Sequence, residues 1–166
     1  MHQMGSHGPA YYRRSPAAFK KFLPECSSNV LQDCPREQLL NAYDNTLLYT
    51  DHVLASTVRW LDRRSRDGKV DGAMVYVSDH GESLGENNLY LHGLPYALAP
   101  DTQTHVPMVT WLSGAMQKRL GIRVDCLQQH AAQPLSHDNL FHSVLGLLDV
   151  QSSLYKQEMD WFSPCR

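Results

Sequence analysis

Between Ser78 and Gly93 the chain reads SDHGESLGENNLYLHG, which brings Asp79, His80, Glu82, Glu86 and His92 close together in sequence. The segment follows directly on the apolar run MVYV, read as a buried strand, so Asp79 and His80 fall where that strand ends. In α/β sheets, ligands gather at the carboxyl ends of strands. A carboxylate oxygen and an imidazole nitrogen are both good donors to a tetrahedral Zn²⁺. Two adjacent residues can turn toward one ion there because the chain is leaving the pleat, and Gly81 permits a sharp bend beside them. The pattern points to a divalent metal held by Asp79 and His80. An Asp-His pair on its own has a plain alternative, a surface acid beside a histidine bonded to a carbonyl. Concentration favours the metal: His2, His7, His92 and His105 also fall in loop-like segments near Gly or Pro, where site residues gather. His52 and His142 lie inside helical patterns and, with His130, read as structural or exposed.

The elements that must position these residues follow from periodicity. Leu40, Tyr43, Leu47, Leu54, Val58 and Leu61 recur at helical spacing, with Pro35 before them and Gly68 after. This predicts a long amphipathic helix over residues 36–65. Residues 71–79 (DGAMVYVSD) and 106–112 (VPMVTWL) predict strands. The Gly-, Asn-, His- and Pro-rich connection between them is long for a compact domain, and such connections are usually functional. Ser136 is expected to cap a second helix, SHDNLFHSVLGLLDV, with Leu140, Val144, Leu147 and Leu148 as its apolar stripe. The first 25 residues read as loop with one short helix around 17–22, and Trp60 and Trp111 are expected in the core. Alternation of helix and strand predicts an α/β domain.

A chain of 166 residues, 42% apolar, is the size of one domain and is not globally disordered. A formal net charge of −2 gives no field for nucleic acid or an anionic membrane. The pairs Arg13–Arg14, Lys20–Lys21 and Arg63–Arg64 read as solvated surface. No apolar run reaches the roughly 20 residues that cross a bilayer, and no export leader is visible. None of Cys26, Cys34, Cys126 and Cys165 forms a CxxC pair. Cys26 and Cys34 flank a short polar loop, which suits a disulfide in an oxidising compartment, and Cys126 and Cys165 could close a second. Four reduced thiols is the alternative. A disulfide protein without a leader implies further sequence upstream.

The stretch VYVSDHGESLGENNLYLHGLPYALAPDTQTHVPMVTW, the opening HQMGSHGPAYYRR and the late PLSHDNLFHSVLG together resemble bacterial lipid A phosphoethanolamine transferases. These belong to the alkaline phosphatase and sulfatase superfamily. The resemblance runs from His2 nearly to Arg166. It implies a sulfatase-like α/β fold, a mixed sheet between helices, with residues 1–166 as the C-terminal portion of a periplasmic catalytic domain. An N-terminal membrane domain would anchor it to the inner membrane. It also implies zinc as cofactor, phosphatidylethanolamine as donor and lipid A as acceptor, and hence polymyxin resistance. By the same resemblance Asp79 and His80 match zinc ligands, while His7 and His92 match residues at a second metal or the substrate phosphate. His2 is their near neighbour, and Glu82 matches a carboxylate near the substrate amine or an accessory metal. Glu86 is chemically as able as Glu82. Cys26 and Cys34 match a family disulfide.

In that family a nucleophilic threonine and another acidic zinc ligand precede the HQMGSHGP motif, with which this chain begins. Thr46, Thr50 and Thr57 fall in the long helix, Thr102 and Thr104 in the loop, and Thr110 in a strand. None sits where an activated nucleophile is expected. The chain by itself is therefore expected to bind zinc weakly and to lack turnover. The competing readings are part of a sulfatase or metal-dependent phosphodiesterase, and a non-enzymatic module stabilised by metal. The sulfatase C/S-x-P-x-R motif does not occur in these residues.

Overall fold

A computed structural model describes all residues, Met1–Arg166. The chain divides into two compact units: Met1–Trp60 with Met74–Thr110, and Leu61–Ala73 with Trp111–Arg166. In chain order the regular elements are α1 (Arg36–Arg66), β1 (Ala73–Val77), β2 (Ser83–Leu84), β3 (Tyr90–Leu91), α2 (Asp101–Thr104), β4 (Met108–Leu112), α3 (Gly114–Leu120), α4 (Val124–His130) and α5 (Asp138–Leu147). β1 pairs with β4, and β2 pairs with β3. The architecture is α/β as expected, with the sheet limited to these two strand pairs. No helix is long and apolar enough to cross a membrane.

The first unit is built on the N-terminal half of α1. Its buried helical residues are Leu39, Ala42, Asn45, Thr46 and Thr50, spaced at three and four. The Leu40–Tyr43–Leu47 stripe read from the sequence lies one step round the helix and is only partly covered, with Leu47 exposed. Asn45 explains the difference. It is 0% exposed, and its Oδ1 accepts from the backbone N–H groups of Lys21 and Phe22 while its Nδ2 donates to Phe22 O and Glu25 Oε2. All the amide's hydrogen-bonding capacity is used to hold the irregular segment 21–25. Burying a polar anchor turns the helix so that Leu39 and Ala42 face inward. Asn45→Ala is expected to lower the unfolding free energy by about 2 kcal/mol, measured by urea titration, because two backbone donors lose their acceptor.

Tyr11, Cys26, Leu31, Leu39, Ala42 and Leu84 form the core of this unit, with the ring of Tyr43 set edge-on to Tyr11 at 5.5 Å. Cys26 and Cys34 are joined in a disulfide. The expected helix near residues 17–22 is a single 3-10 turn, Ala17–Phe19.

The second unit carries α3, α4 and α5 with the C-terminal tail. Ser113 caps α3, its Oγ accepting from the N–H groups of Met116 and Gly72. A second disulfide joins Cys126 to Cys165, and Phe162 is fully buried. Ser136 sits one residue outside the cap of α5, which is His137; Ser136 Oγ still accepts from the N–H of Asp138. Leu147 is buried, but Val144 and Leu148 are exposed. Trp60, in the first unit, is 53% exposed, against the expectation of a core position.

Candidate metal centre

All the residues singled out for chemistry, His2 included, belong to the first unit. β1 ends at Val77, so Asp79 and His80 follow the strand as the sequence indicated. Asp79 is side-chain exposed to 76%, and its Oδ2 lies 3.9 Å from His80 Nε2. Donor atoms about 3.4 Å apart are what a tetrahedral shell with bonds of about 2.0–2.1 Å requires. The two side chains thus share a face and fit one zinc ion with a small adjustment.

His80 is also part of a second grouping. One ring nitrogen from each of His7, His80 and His92 lies within 4.8 Å of the others. The rings of His80 and His92 stack at 3.7 Å, and His7 stands edge-on to His92 at 5.0 Å. Each ring is held through Nδ1: His7 to Gly8 O at 2.7 Å, His80 to Gly81 O at 2.9 Å, and His92 to Glu82 Oε1 at 3.3 Å. A carbonyl or carboxylate oxygen can only accept, so in each pair Nδ1 carries the proton. In the neutral ring this leaves the lone pair on Nε2, the state a metal requires. An imidazole fixed at Nδ1 by an oxygen acceptor is also the usual setting of a metal-ligating histidine. The donor set suits zinc.

The hairpin explains why residues ten apart in sequence meet. β2 and β3 pair antiparallel with Ser83 opposite Leu91 and Leu84 opposite Tyr90, which sets Glu82 opposite His92. The turn is closed by Gly85 at φ 102° and Asn87 and Asn88 at φ 51° and 61°, conformations that Gly and Asn tolerate best. Glu86 serves this turn. Its Oε2 accepts from the N–H of Leu84 at 2.6 Å and its Oε1 pairs with Arg36 at 3.1 Å, so both its oxygens are occupied.

Glu82 is turned inward and is 7% exposed. Its Oε1 accepts from both Gly8 N–H, at 3.0 Å, and His92 Nδ1. Its Oε2 is buried without a hydrogen-bond partner, as is the hydroxyl of Tyr11, which lies near the same carboxylate. Burial, and next the Glu82 carboxylate, push the Tyr11 hydroxyl far above its ordinary pKa. His2 is exposed and stands outside the three-imidazole group. His105 lends its backbone N–H to the end of α2. Arg14 donates through Nε to His7 O at 3.0 Å.

Cys126, His130 and Cys165 also lie close together, but the two sulfurs are bonded to each other. His52 packs against Phe19, and His142 accepts from the N–H of Lys156, as expected for helical histidines.

Gly8 and Tyr11 were not singled out by the sequence reading. One signal for the first was present: His7, His80 and His92 are each followed by glycine. A Cβ on Gly8 would meet Leu91 and come within 2.7 Å of the Tyr11 hydroxyl, and one on Gly81 would fall onto the Thr102 carbonyl. Tyr11 left no comparable mark.

The sulfatase family profile matches residues 1–150. The chain is 51% identical over its whole length to phosphoethanolamine transferase EptA of Salmonella typhimurium, of which it covers 30%. It is 44% identical over 94% of its length to phosphatidylethanolamine transferase Mcr-1 of Escherichia coli, covering 27% of that protein. Among solved structures, it superposes with a TM-score of 0.93 and 48% identity on the integral membrane protein lipooligosaccharide phosphoethanolamine transferase A of Neisseria meningitidis. That match takes in 98% of this chain and 30% of the other. The chain thus spans about a third of the length of these relatives.

Proposed function

The chain belongs to the sulfatase family, and on that premise we propose that it supplies the metal-holding part of a zinc-dependent phosphoethanolamine transferase. The donor is phosphatidylethanolamine and the acceptor a lipid A phosphate, at the periplasmic face of the inner membrane. The observation that carries this reading is the convergence of three imidazoles, each with its proton fixed at Nδ1, beside the Asp79–His80 pair. The relatives named above, phosphoethanolamine and phosphatidylethanolamine transferases, supply the substrate class. Two disulfides are in keeping with an oxidising compartment.

In this reading Asp79 and His80 hold the zinc. When bound, zinc supplies positive charge that stabilises the phosphoryl oxygens and activates an oxygen nucleophile. His7 and His92 bind the phosphate or a second ion through Nε2. His92, backed by the Glu82 carboxylate, can carry a proton at Nε2 and give it to the departing diacylglycerol oxygen, as a positioned general acid does. His2, exposed in the same N-terminal segment, would meet the headgroup.

The test is a graft. This chain replaces the matching segment of the Salmonella typhimurium transferase, and lipid A from cells carrying the graft is examined by mass spectrometry. Addition of phosphoethanolamine to lipid A is the expected result. A graft that is folded and zinc-loaded yet leaves lipid A unmodified, while cleaving an aryl sulfate, would favour the sulfatase reading instead.

A further inference from the structure

We infer that Glu82 is a positioning residue: one buried carboxylate oxygen aligns His92 directly and His7 through Gly8, so that both present Nε2 to the same point. The inference rests on the zinc-transferase reading and goes beyond it by giving Glu82 work that involves no contact with substrate or metal.

Glu82 Oε1 receives two donors that come from opposite ends of the first unit's sequence. His92 Nδ1 reaches it from β3 at 3.3 Å, and Gly8 N–H reaches it from the N-terminal segment at 3.0 Å. Gly8 in turn offers its carbonyl to His7 Nδ1 at 2.7 Å. A single oxygen is therefore one bond away from one imidazole and two bonds away from another. The third imidazole is tied to the residue next door, since His80 Nδ1 is bonded to Gly81 O. Without such fixing, a neutral imidazole exchanges its proton between nitrogens and rotates, and either change withdraws the lone pair.

Three further observations hold Glu82 in this role. Its side chain is 4% exposed, so neither oxygen is open to a ligand in solution. The second oxygen is also buried and has no hydrogen-bond partner, and Tyr11, itself 1% exposed and part of the core, sets its hydroxyl close enough to the carboxylate to feel its charge. Gly8 has no room for a side chain: a Cβ would lie 2.7 Å from that same hydroxyl, so the backbone N–H comes close to Glu82 because glycine stands there. A carboxylate that must reach out to a substrate amine would be expected on the open side, as Asp79 is.

The experiment uses the chain as it stands, metal-free and then titrated with zinc. Long-range ¹H–¹⁵N correlation of the imidazoles reports which nitrogen of His7 and His92 is protonated, and competition with a chromophoric chelator reports zinc affinity. The wild type is expected to show both rings as the Nδ1–H form. Glu82→Ala should turn His92 into a mixture of tautomers and weaken the second, looser zinc ion, the one His7 and His92 hold, about tenfold or more, the range seen when an outer partner of a metal-bound histidine is lost. Glu82→Gln, whose amide oxygen can still accept both donors, should restore the tautomer and most of the affinity. A passive packing role would not move the tautomer or be rescued in this way. The inference is overturned if wild-type His92 carries its proton at Nε2, a result that needs no variant to fold. It is also overturned if a folded Glu82→Ala chain keeps both the wild-type tautomer and the wild-type affinity. A chain that shows the expected tautomers but binds no zinc would count against the proposed function and leave the positioning role standing.

Discussion

Gly81→Ala is expected to lower the unfolding free energy by roughly 3 kcal/mol or more and to abolish zinc binding. The added Cβ would fall onto the carbonyl oxygen of Thr102, within 3.0 Å of its carbon and 3.3 Å of Gln103 Cα. These are backbone atoms, and they cannot turn aside as a flexible side chain could. The approach is itself fixed, because Gly81 N–H donates to Gln103 O at 2.9 Å and Gly81 O receives His80 Nδ1. Relief of the clash must therefore separate the segment after β1 from α2, and His80 would move with it. Gly114→Ala is the control: no atom lies within 4 Å of its Cβ position, so stability should stay within about 0.5 kcal/mol. Urea midpoints and zinc isotherms on the two variants check both halves. An Gly81→Ala chain with wild-type stability would mean that Thr102 does not close over the glycine.

His80→Ala is expected to weaken zinc about 100-fold or more, beyond the range for loss of an outer partner. His80 is the residue shared by the two donor groupings, the pair with Asp79 and the trio with His7 and His92. Asp79→Ala should cost nearly as much affinity but little stability, since the side chain is 76% exposed. His7→Ala and His92→Ala should leave the tighter ion in place and reduce the capture of phosphate or a second ion. Titration of each variant with zinc, with inorganic phosphate added afterwards, separates the two sets. Unchanged zinc affinity in His80→Ala would sink the metal assignment. Equal loss in all four variants would place the ion among the imidazoles instead.

The end of the first strand was legible in the sequence because it rests on a local rule. An apolar run stops, and an acid, a histidine and a glycine follow. The long helix was equally legible, since thirty residues of helical spacing between proline and glycine leave little choice. Which side of that helix is buried was not. Counting apolar residues chose the stripe of Leu40, Tyr43 and Leu47, but a buried amide can outweigh a leucine when it satisfies four backbone and side-chain groups. Trp60 was misplaced for a related reason: its size suggests burial, and only the neighbours decide.

The same division runs through the site. Residue type and order singled out Asp79 and His80 as a pair able to share a divalent ion, and the family resemblance carried by the surrounding motifs added His7 and His92. Local chemistry is written in the chain, because a strand end, a glycine and a donor atom are set by neighbours in sequence. That Glu82 faces inward, that Gly8 and His92 meet on one of its oxygens, and that Glu86 is occupied with Arg36 and the turn were decided by tertiary structure alone. Two carboxylates of identical chemistry, four residues apart, received different roles because hairpin register and burial act on position, and position is a property of the folded chain.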